Sequence, residues 1–273
     1  MLHLSNLRVI FSPGTPLEKS VFQGFSLTIP PGQFVTVIGS NGAGKSTLLN
    51  VLSGEVNTAS GLQAGQVMIG DYNVTGWSVA RRAKLVSRVF QNPLAGSCAD
   101  LSLEENLVLA QRRSQSLSLR PALTNSLRRG FRERLATLGL GLENRLGDKM
   151  GLLSGGQRQA VSLLMATLAP TQVLLLDEHT AALDPKTAGY ILDLTRELVA
   201  SKQLTTLMVT HSMQQALDMG DRILMLHDGK IALDISGDER AGLSVGDLLD
   251  AFAKENAART DADTISDDSL LLG

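Results

Sequence analysis

The stretch Phe34-Val35-Thr36-Val37-Ile38-Gly39-Ser40-Asn41-Gly42-Ala43-Gly44-Lys45-Ser46-Thr47 indicates the fold of the whole chain. Its first five residues are β-branched or apolar, as in a buried strand, and a glycine-rich turn follows them. The turn opens directly into an apolar-rich segment that predicts a helix. The residues Gly39, Gly44, Lys45 and Ser46 fill the pattern G-x-x-x-x-G-K followed by Ser or Thr, which is typical of a phosphate-binding loop.

The chemistry of this loop points to a nucleotide with a magnesium ion. Glycines leave backbone N–H groups free to surround phosphate oxygens, and a helix start adds the positive end of its dipole. In such loops the lysine reaches the β- and γ-phosphates, and the hydroxyl that follows it ligates Mg²⁺. A chance match is expected in about one chain in a hundred of this length. The candidate nucleotide-binding residues are Gly39, Ser40, Asn41, Gly42, Ala43, Gly44, Lys45, Ser46 and Thr47.

Composition is ordinary for a globular protein. The chain has 273 residues, enough for one large α/β domain or for one domain with an insertion. Its net charge of −2 gives no overall indication of nucleic acid or an anionic membrane as a partner. Cys98 is the only cysteine, which excludes an internal disulfide or a cysteine cluster and fits a reducing compartment.

No segment predicts a secretion signal or a membrane span. The start, Met1 to Leu7, lacks a basic stretch followed by an apolar core. The densest apolar run, Val173 to Leu176, stops at Asp177, far short of the roughly 20 residues that cross a bilayer. If the protein works at a membrane, another chain must supply the membrane-spanning part.

The order of the predicted strands and helices indicates an α/β fold in three parts. A largely antiparallel β region comes first, with a hairpin-like corner at Pro30–Gly32 before the strand that leads to the phosphate loop. From about residue 101 to 140 apolar residues recur at helical spacing. Helices and strands then alternate, which is typical of a parallel sheet covered by helices. The predicted strands are 2–11, 25–29, 34–38, 66–69, 85–90, 173–176, 205–209 and 222–226, and the later predicted helices are 156–168 and 186–200.

Arginines are dense in the predicted helical part. A solvated helix face and a docking or phosphate-binding surface are both open interpretations. No aromatic residues alternate with the arginines, which argues against binding of single-stranded nucleic acid. The arginines concerned are Arg112, Arg113, Arg120, Arg128, Arg129, Arg132 and Arg134.

Two carboxylates, Asp177 and Glu178, follow the apolar strand Val173–Leu176. Apolar strands often end at ordinary surface acids, so this motif alone favours a structural interpretation. Beside a phosphate loop, however, an aspartate at this place holds Mg²⁺. The adjacent glutamate would then face the γ-phosphate, where a carboxylate can polarise an attacking water.

The run Leu153-Ser154-Gly155-Gly156-Gln157 narrows the class of protein. A serine and two glycines at a helix start form a second anion-binding site, and Ser154 is suited to cap the helix. With this run the chain resembles the ATP-binding subunits of ABC transporters, from about Leu2 to Gly237. The resemblance implies a P-loop NTPase core with an antiparallel β subdomain and an inserted α-helical subdomain. Its expected limits are 1–240 for the ATPase domain, about 95–160 for the helical insert, and 241–273 for a short helix with a flexible acidic tail.

The resemblance also implies a role for each motif, with ATP and Mg²⁺ as cofactors. Gln91 would sense Mg²⁺ and water and link the nucleotide to the helical subdomain. His211 would contact the γ-phosphate, and Asp184 would lie in a loop that crosses a dimer interface. The four residues Ser154, Gly155, Gly156 and Gln157 would close over ATP held by the opposite subunit. The expected catalytic residues are Lys45, Gln91, Glu178 and His211, and the expected Mg²⁺-associated residues are Ser46, Gln91 and Asp177.

Two positions depart from the family pattern. The family stacks adenine on an aromatic residue before the phosphate loop, for which Phe11 is the best candidate and Phe22 the alternative. The inserted turn Ser12–Pro16 lengthens the spacing around them. His179 stands where proline or alanine is more usual, and we predict a packing role for it rather than a chemical one.

The function implied by the resemblance is ATP hydrolysis that powers transport, as a peripheral homodimer on the cytoplasmic face of the cell membrane. Separate permease chains and a solute-binding protein would be partners, and an amino acid is a candidate solute for import. The alternative is a soluble ABC ATPase acting on ribosomes or DNA, a class that usually carries two cassettes or a long coiled coil. A small-molecule kinase would leave Ser154–Gln157 unexplained.

Overall fold

A computed structural model describes residues 1–113, 115, 123–251 and 253. The strands, in chain order, are β1 (Leu2–Phe11), β2 (Lys19–Ile29), β3 (Phe34–Gly39), β4 (Leu62–Ile69), β5 (Tyr72–Asn73), β6 (Val86–Val89), β7 (Val173–Asp177), β8 (Thr205–Val209), β9 (Arg222–His227) and β10 (Lys230–Ser236). The helices are α1 (Lys45–Ser53), α2 (Val79–Arg82), α3 (Leu103–Arg112), α4 (Asn125–Ala136), α5 (Gly155–Leu168), α6 (Pro185–Lys202), α7 (Met213–Met219) and α8 (Asp238–Ala241). Short 3₁₀ turns cover Leu142–Asn144 and Met150–Leu152.

The first sheet is antiparallel, with strand order β2-β1-β4-β5, as the early pattern predicts. The hairpin-like corner predicted at Pro30–Gly32 is wrong. Strands β2 and β3 lie in different sheets, so this corner carries the chain from one sheet to the other. The physical reason is the composition of β3, whose first five residues are all buried and which needs strand neighbours on both sides.

The second sheet has the order β10-β9-β3-β8-β7-β6. All its neighbours are parallel except β10, which pairs antiparallel with β9. In a parallel sheet every strand ends at the same edge, and ligands bind beyond the carboxyl ends. Because β3, β6, β7 and β8 are parallel neighbours, the segments that follow Gly39, Val89, Asp177 and Val209 all emerge at that edge.

The helical part contains α3 and α4, as the apolar spacing predicts. Ser102 and Glu105 form a capping box at the start of α3, and Thr124 caps α4. Two arginines of this region have structural partners: Arg128 binds both oxygens of Glu104, and Arg113 donates to the carbonyls of Ala166 and Ala169. Arg129, Arg132 and Arg134 are exposed, and Arg120 lies outside the described residues.

Arg82 joins the phosphate-loop helix to the segment after β5. Its guanidinium is fully buried and donates to the carbonyls of Val51 and Leu52 at the end of α1, and of Val74 and Thr75. Burial lowers the pKa of Arg82 to about 10, so the side chain is still charged at neutral pH. A buried cation at this end of α1 meets the negative end of the helix dipole.

The end of the described chain packs on the sheet. Residues 245–251 are helical and lie after the expected limit of the ATPase domain at residue 240. Leu248 is fully buried in a cluster with Ile38, Ala216 and Met225. The predicted acidic tail lies outside the described residues. Within the part of the chain that the structure describes, no helix has both the length and the apolar character to cross a membrane.

Candidate functional site

The phosphate loop leaves β3 through a tight backbone path. At Gly39 φ is +145°, and a Cβ there would lie 2.2 Å from the carbonyl oxygen of Leu226. At Gly44, which precedes α1, φ is +103°, and a Cβ would lie 2.9 Å from the ring of Phe22. Both positions require glycine, because a side chain would meet rigid neighbours and adopt a strained backbone conformation.

Lys45 begins α1 and turns back into the loop. Its ammonium donates to the carbonyl oxygens of Gly39 at 2.7 Å and Ser40 at 2.9 Å. The residue is only 6 % exposed. Burial lowers the pKa of Lys45, and the charges of Glu178 and Asp177 partly oppose that shift. An ammonium has three donors, so one N–H remains for a phosphate oxygen.

A cleft of about 150 Å³ opens over this loop. Loop residues line one side of the cleft, and Glu178 and two residues of β2, Lys19 and Val21, complete it. Sequence reasoning did not select Lys19 or Val21. A larger cavity of about 640 Å³ lies at the opposite edge of the parallel sheet, between Gly32, Met219 and Arg240. It contains none of the predicted site residues, so the small cleft is the candidate site. The loop residues in the lining are Asn41, Gly42, Gly44, Lys45, Ser46 and Thr47.

Glu178 is held in an unusual conformation beside His211. Its φ is +46°, a left-handed value that a residue with a side chain adopts rarely. Its backbone N–H donates to the carbonyl of Val209 at 3.0 Å. The side chain lies 2.7 Å from Nε2 of His211. The structure therefore joins the two predicted catalytic residues from strands β7 and β8, and Glu178 also lines the cleft.

Asp177 ends β7 and pairs with an arginine that sequence reasoning missed. Its Oδ2 lies 2.6 Å from Nη2 of Arg88, on the neighbouring strand β6. A charged residue between buried neighbours in the strand Val86-Ser87-Arg88-Val89 is the signal that could have selected Arg88. Gln91 follows β6 at the same edge of the sheet, but it is exposed and its side chain does not line the cleft.

The run Ser154–Gln157 lies at the start of α5, outside the cleft. Ser154 accepts from the N–H of Gln157 at 3.3 Å, and Gln157 accepts from the N–H of Ser154 at 3.1 Å. A Cβ at Gly156 would lie 2.3 Å from Cγ2 of Thr187 in α6, so close helix packing requires this glycine. Ser154 and Gly155 are exposed, Gly156 and Gln157 are half-buried, and none of the four lines the cleft.

Asp184 caps α6 beside this helix start. Its Oδ1 accepts from the N–H of Thr187 at 3.0 Å, and hydrogen bonds with Thr187 lower the pKa of the Asp184 carboxyl. The side chain of Leu183 lies 3.6 Å from where a Cβ on Gly155 would be. Residues 154–156 and 183–187 thus form one continuous surface, separate from the phosphate loop.

The two candidate aromatic residues have different surroundings. Phe22 is fully buried, stacks on Phe25 at 4.6 Å between ring centroids, and packs beneath the loop, so it is wrong as an adenine platform. Phe11 is half-buried and pairs with Lys19 across β1 and β2. Directly opposed residues of antiparallel strands share a face, which places Phe11 on the face from which Lys19 lines the cleft.

His179 has the packing role that its sequence position predicts. It is 2 % exposed, and its Nε2 lies 3.1 Å from Oγ1 of Thr195, whose hydroxyl donates to the carbonyl of Ile191. Burial lowers the pKa of His179 to about 4. The histidine is therefore neutral at physiological pH and connects the turn after Glu178 to α6.

This burial predicts a loss of stability in acid. The unfolded chain binds a proton at His179 below its ordinary pKa of about 6.5, whereas the folded chain resists protonation down to about 4. Unfolding is then favoured as the pH falls through that window, by about 2 kcal/mol at pH 5 relative to pH 7.5. Urea unfolding at the two pH values should show this loss in the wild type and a smaller one in His179→Gln. Thr195→Val, which keeps the histidine, should retain the acid sensitivity. An equal loss of stability between pH 7.5 and pH 5 in all three proteins would show that His179 is not its source.

Together, the fold and the loop define a P-loop NTPase of the α/β class. The chain belongs to the ABC transporter family, whose profile matches residues 22–181. It is 43% identical over 255 residues to the tyrosine transport ATP-binding protein of Clostridioides difficile (strain R20291), which covers 92% of this chain and 98% of that protein. It is 34% identical to the aliphatic sulfonates import ATP-binding protein SsuB of Escherichia coli (strain K12), with 82% of each chain covered.

A solved structure agrees with the fold. The dimeric structure of the ATP-binding cassette MJ0796 in a post-hydrolysis state, bound to ADP and Pi, matches with a TM-score of 0.72 at 28% identity. The match covers 86% of this chain and 98% of that one. The predicted fold class and ATPase activity are thereby confirmed: the chain is an ATP-hydrolysing subunit of an ABC transporter.

Proposed function

We propose that the chain powers import of a small solute, an amino acid as the first candidate, through separate permease chains. Support comes from the likeness to a tyrosine transport ATP-binding protein along nearly the full length of both chains. The likeness to a sulfonate import subunit is weaker, and it supports the direction of transport rather than the solute. A peripheral position on the cytoplasmic face of the membrane follows from this role.

The site residues fit ATP and Mg²⁺. Lys45 holds the β- and γ-phosphates, and Phe11 with Val21 receives the adenine. The hydroxyl of Ser46 and the carboxylate of Asp177 are hard oxygen donors of the kind that Mg²⁺ prefers, with phosphate oxygens and waters completing its shell. When bound, the metal neutralises charge on the phosphates. Within the described residues no cluster of three acidic, histidine or cysteine side chains could hold a metal alone, which agrees with a site shared with the nucleotide.

In hydrolysis, Glu178 and His211 act as a pair. Glu178 accepts a proton from the water that attacks the γ-phosphate, and the imidazole contacts both that phosphate and Glu178. The left-handed turn at Glu178 aims its carboxylate back toward the loop, and His179 anchors that turn. Gln91 would reach the same site after a movement of the segment that follows β6.

The observation that carries a dimeric mechanism is the position of Ser154–Gln157. Within this run Ser154 and Gly155 are exposed at the start of a helix, and all four residues lie outside the cleft that Lys45 lines. A second copy of the chain could place it over the first copy's ATP, with Asp184 on the same contact surface. Two ATP molecules would then be enclosed between two chains, and hydrolysis would release the closed state.

A groove of about 410 Å³ between the segment after β6 and the helices α3 and α5 is the proposed seat of the permease. Phe90, Pro93, Leu109 and Met165 contribute to its lining, and Leu109 is 53 % exposed although it is apolar. A permease segment there would touch Phe90 and Pro93, which lie close to Gln91 along the chain. Purification in mild detergent should recover the chain with membrane proteins; recovery with ribosomes or DNA instead would favour the soluble ABC ATPase class.

Mixed dimers test the shared sites. Ser154→Arg removes the helix-start contribution, and Lys45→Ala removes the phosphate contact. Each variant alone has two damaged sites, whereas a mixed dimer has one intact composite site and one site that lacks both elements. Mixing the inactive variants should therefore restore ATP binding at about one site per dimer. Mixed dimers that form but enclose no ATP would contradict the arrangement.

A further inference from the structure

We propose that Arg88 is a positioning residue that orients the Asp177 carboxylate for Mg-ATP and connects it to the segment leading to Gln91. The inference rests on the proposed role of Asp177 in magnesium binding. The sequence offers only a charged residue within a strand at this position, and the pairing of Arg88 with Asp177 emerges from the contacts.

The guanidinium of Arg88 contacts three residues in two other parts of the chain. Nη2 donates to Oδ2 of Asp177 at 2.6 Å, which is short even for a charge-assisted bond. Nη1 donates to Oδ1 of Asn50, in α1, at 2.8 Å. The same nitrogen lies 3.1 Å from Oε1 of Glu55, just after that helix. The phosphate-loop helix and the magnesium-associated acid are therefore held by one planar group.

The contact of Arg88 with Asp177 is more buried than its contact with Glu55. The Arg88 side chain is 10% exposed and the Asp177 side chain 17%, whereas the Glu55 side chain is 42% exposed. Exposed ion pairs contribute little, so the Glu55 contact is the minor one. A carboxylate with one oxygen engaged in this way keeps the other oxygen free, which sets the direction in which it can receive a metal or a metal-bound water.

Arg88 also faces the proposed permease groove. Its guanidinium carbon lies 4.8 Å from the centre of the Phe90 ring, and both residues line that groove. Phe90 precedes Gln91 directly, and its carbonyl accepts from Gln159 of α5 at 3.4 Å. A shift of this segment would therefore change the environment of the guanidinium. A lysine has no planar fork to engage Asp177 and Asn50 together, so arginine is required.

A purely structural ion pair is the competing explanation, and magnesium dependence separates the two. The experiment titrates a fluorescent ATP analogue into the purified full-length chain, with EDTA and over a range of Mg²⁺ concentrations. For Arg88→Gln we expect the Mg²⁺ concentration at half-maximal enhancement of binding to rise about tenfold, as for other residues that support a metal ligand. Affinity in EDTA should change less than about twofold, because phosphate contacts to Lys45 are retained.

Glu55→Gln is the matched control, since it removes the exposed partner of Arg88 and leaves Asp177 paired; it should behave as the wild type. Arg88→Lys replaces Arg88→Gln in the titration if Arg88→Gln does not fold. It should also need a higher Mg²⁺ concentration for half-maximal enhancement of binding. An unchanged magnesium dependence in the folded Arg88 variants overturns the inference. Asp177→Asn tests separately whether Asp177 itself takes part in magnesium binding. If this variant too leaves the magnesium dependence unchanged, the proposed role of Asp177 is wrong and the Arg88 inference falls with it.

Discussion

Glu178→Gln is expected to lower the rate of ATP hydrolysis by about 10²- to 10⁴-fold, the usual contribution of general-base catalysis. The amide has the shape of the carboxylate but cannot take a proton from water. It can still contact Nε2 of His211, so the turn with its left-handed backbone should persist. ATP binding should remain within a few-fold of the wild type, because Lys45 and the loop glycines are untouched.

The measurement is phosphate release at saturating Mg-ATP, together with size exclusion in the presence of ATP. With hydrolysis blocked, the closed dimer should accumulate, and the variant should elute as a larger species than the nucleotide-free chain. Glu133→Gln, on the exposed side of α4, is the control and should hydrolyse ATP normally. A Glu178→Gln protein that hydrolyses ATP at the normal rate would exclude Glu178 as the base.

Lys45→Ala is expected to weaken ATP binding by about 100-fold or more, which corresponds to at least about 2.7 kcal/mol. The variant loses the one cation buried within the loop. Hydrogen bonds to charged groups contribute about 1.5–3 kcal/mol each, and the carbonyls of Gly39 and Ser40 would also lose their donor. Without the ammonium, the phosphates would face the carbonyl oxygens of Gly39 and Ser40 with no positive charge between them.

Equilibrium titration with Mg-ATP measures this loss directly. Thermal unfolding without nucleotide should show that the variant is folded, since both hydrogen bonds donated by the Lys45 ammonium go to carbonyls of the loop itself. Lys230→Ala removes an exposed lysine of β10 and should bind ATP as the wild type does. Tight Mg-ATP binding by Lys45→Ala would contradict the assignment of the loop.

The sequence was a good guide where function depends on neighbours along the chain. The phosphate loop lies within nine residues between one strand and one helix, so its glycines, lysine and hydroxyl are readable as a single pattern. The same is true of the acids that end β7 and of the capped helix start at Ser154. In each of these motifs the backbone conformation and the functional side chains come from residues that are close together in sequence. The structure has each motif at its predicted strand end or helix start.

Contacts between distant segments could not be read in this way. The corner at Pro30–Gly32 has the composition of a hairpin, but the burial of β3 moves it into another sheet. Phe11 and Phe22 were both candidates from the sequence, and only strand pairing and burial separate the half-buried Phe11 from the core residue Phe22. Arg82 was not selected because its partners are backbone carbonyls, which no side-chain pattern reveals.

The sequence by itself determined the family, the α/β class, the phosphate loop and the acids at the sheet edge, because local patterns of glycine, charge and apolar residues encode them. The tertiary structure decided which groups meet. Arg88 and Asp177 are separated by 89 positions, and their 2.6 Å contact exists because β6 and β7 are parallel neighbours in the sheet. Likewise, Ser154 lies outside the cleft of its own chain, at the start of a helix that packs closely on Thr187 through Gly156, so the proposed composite site needs a second chain.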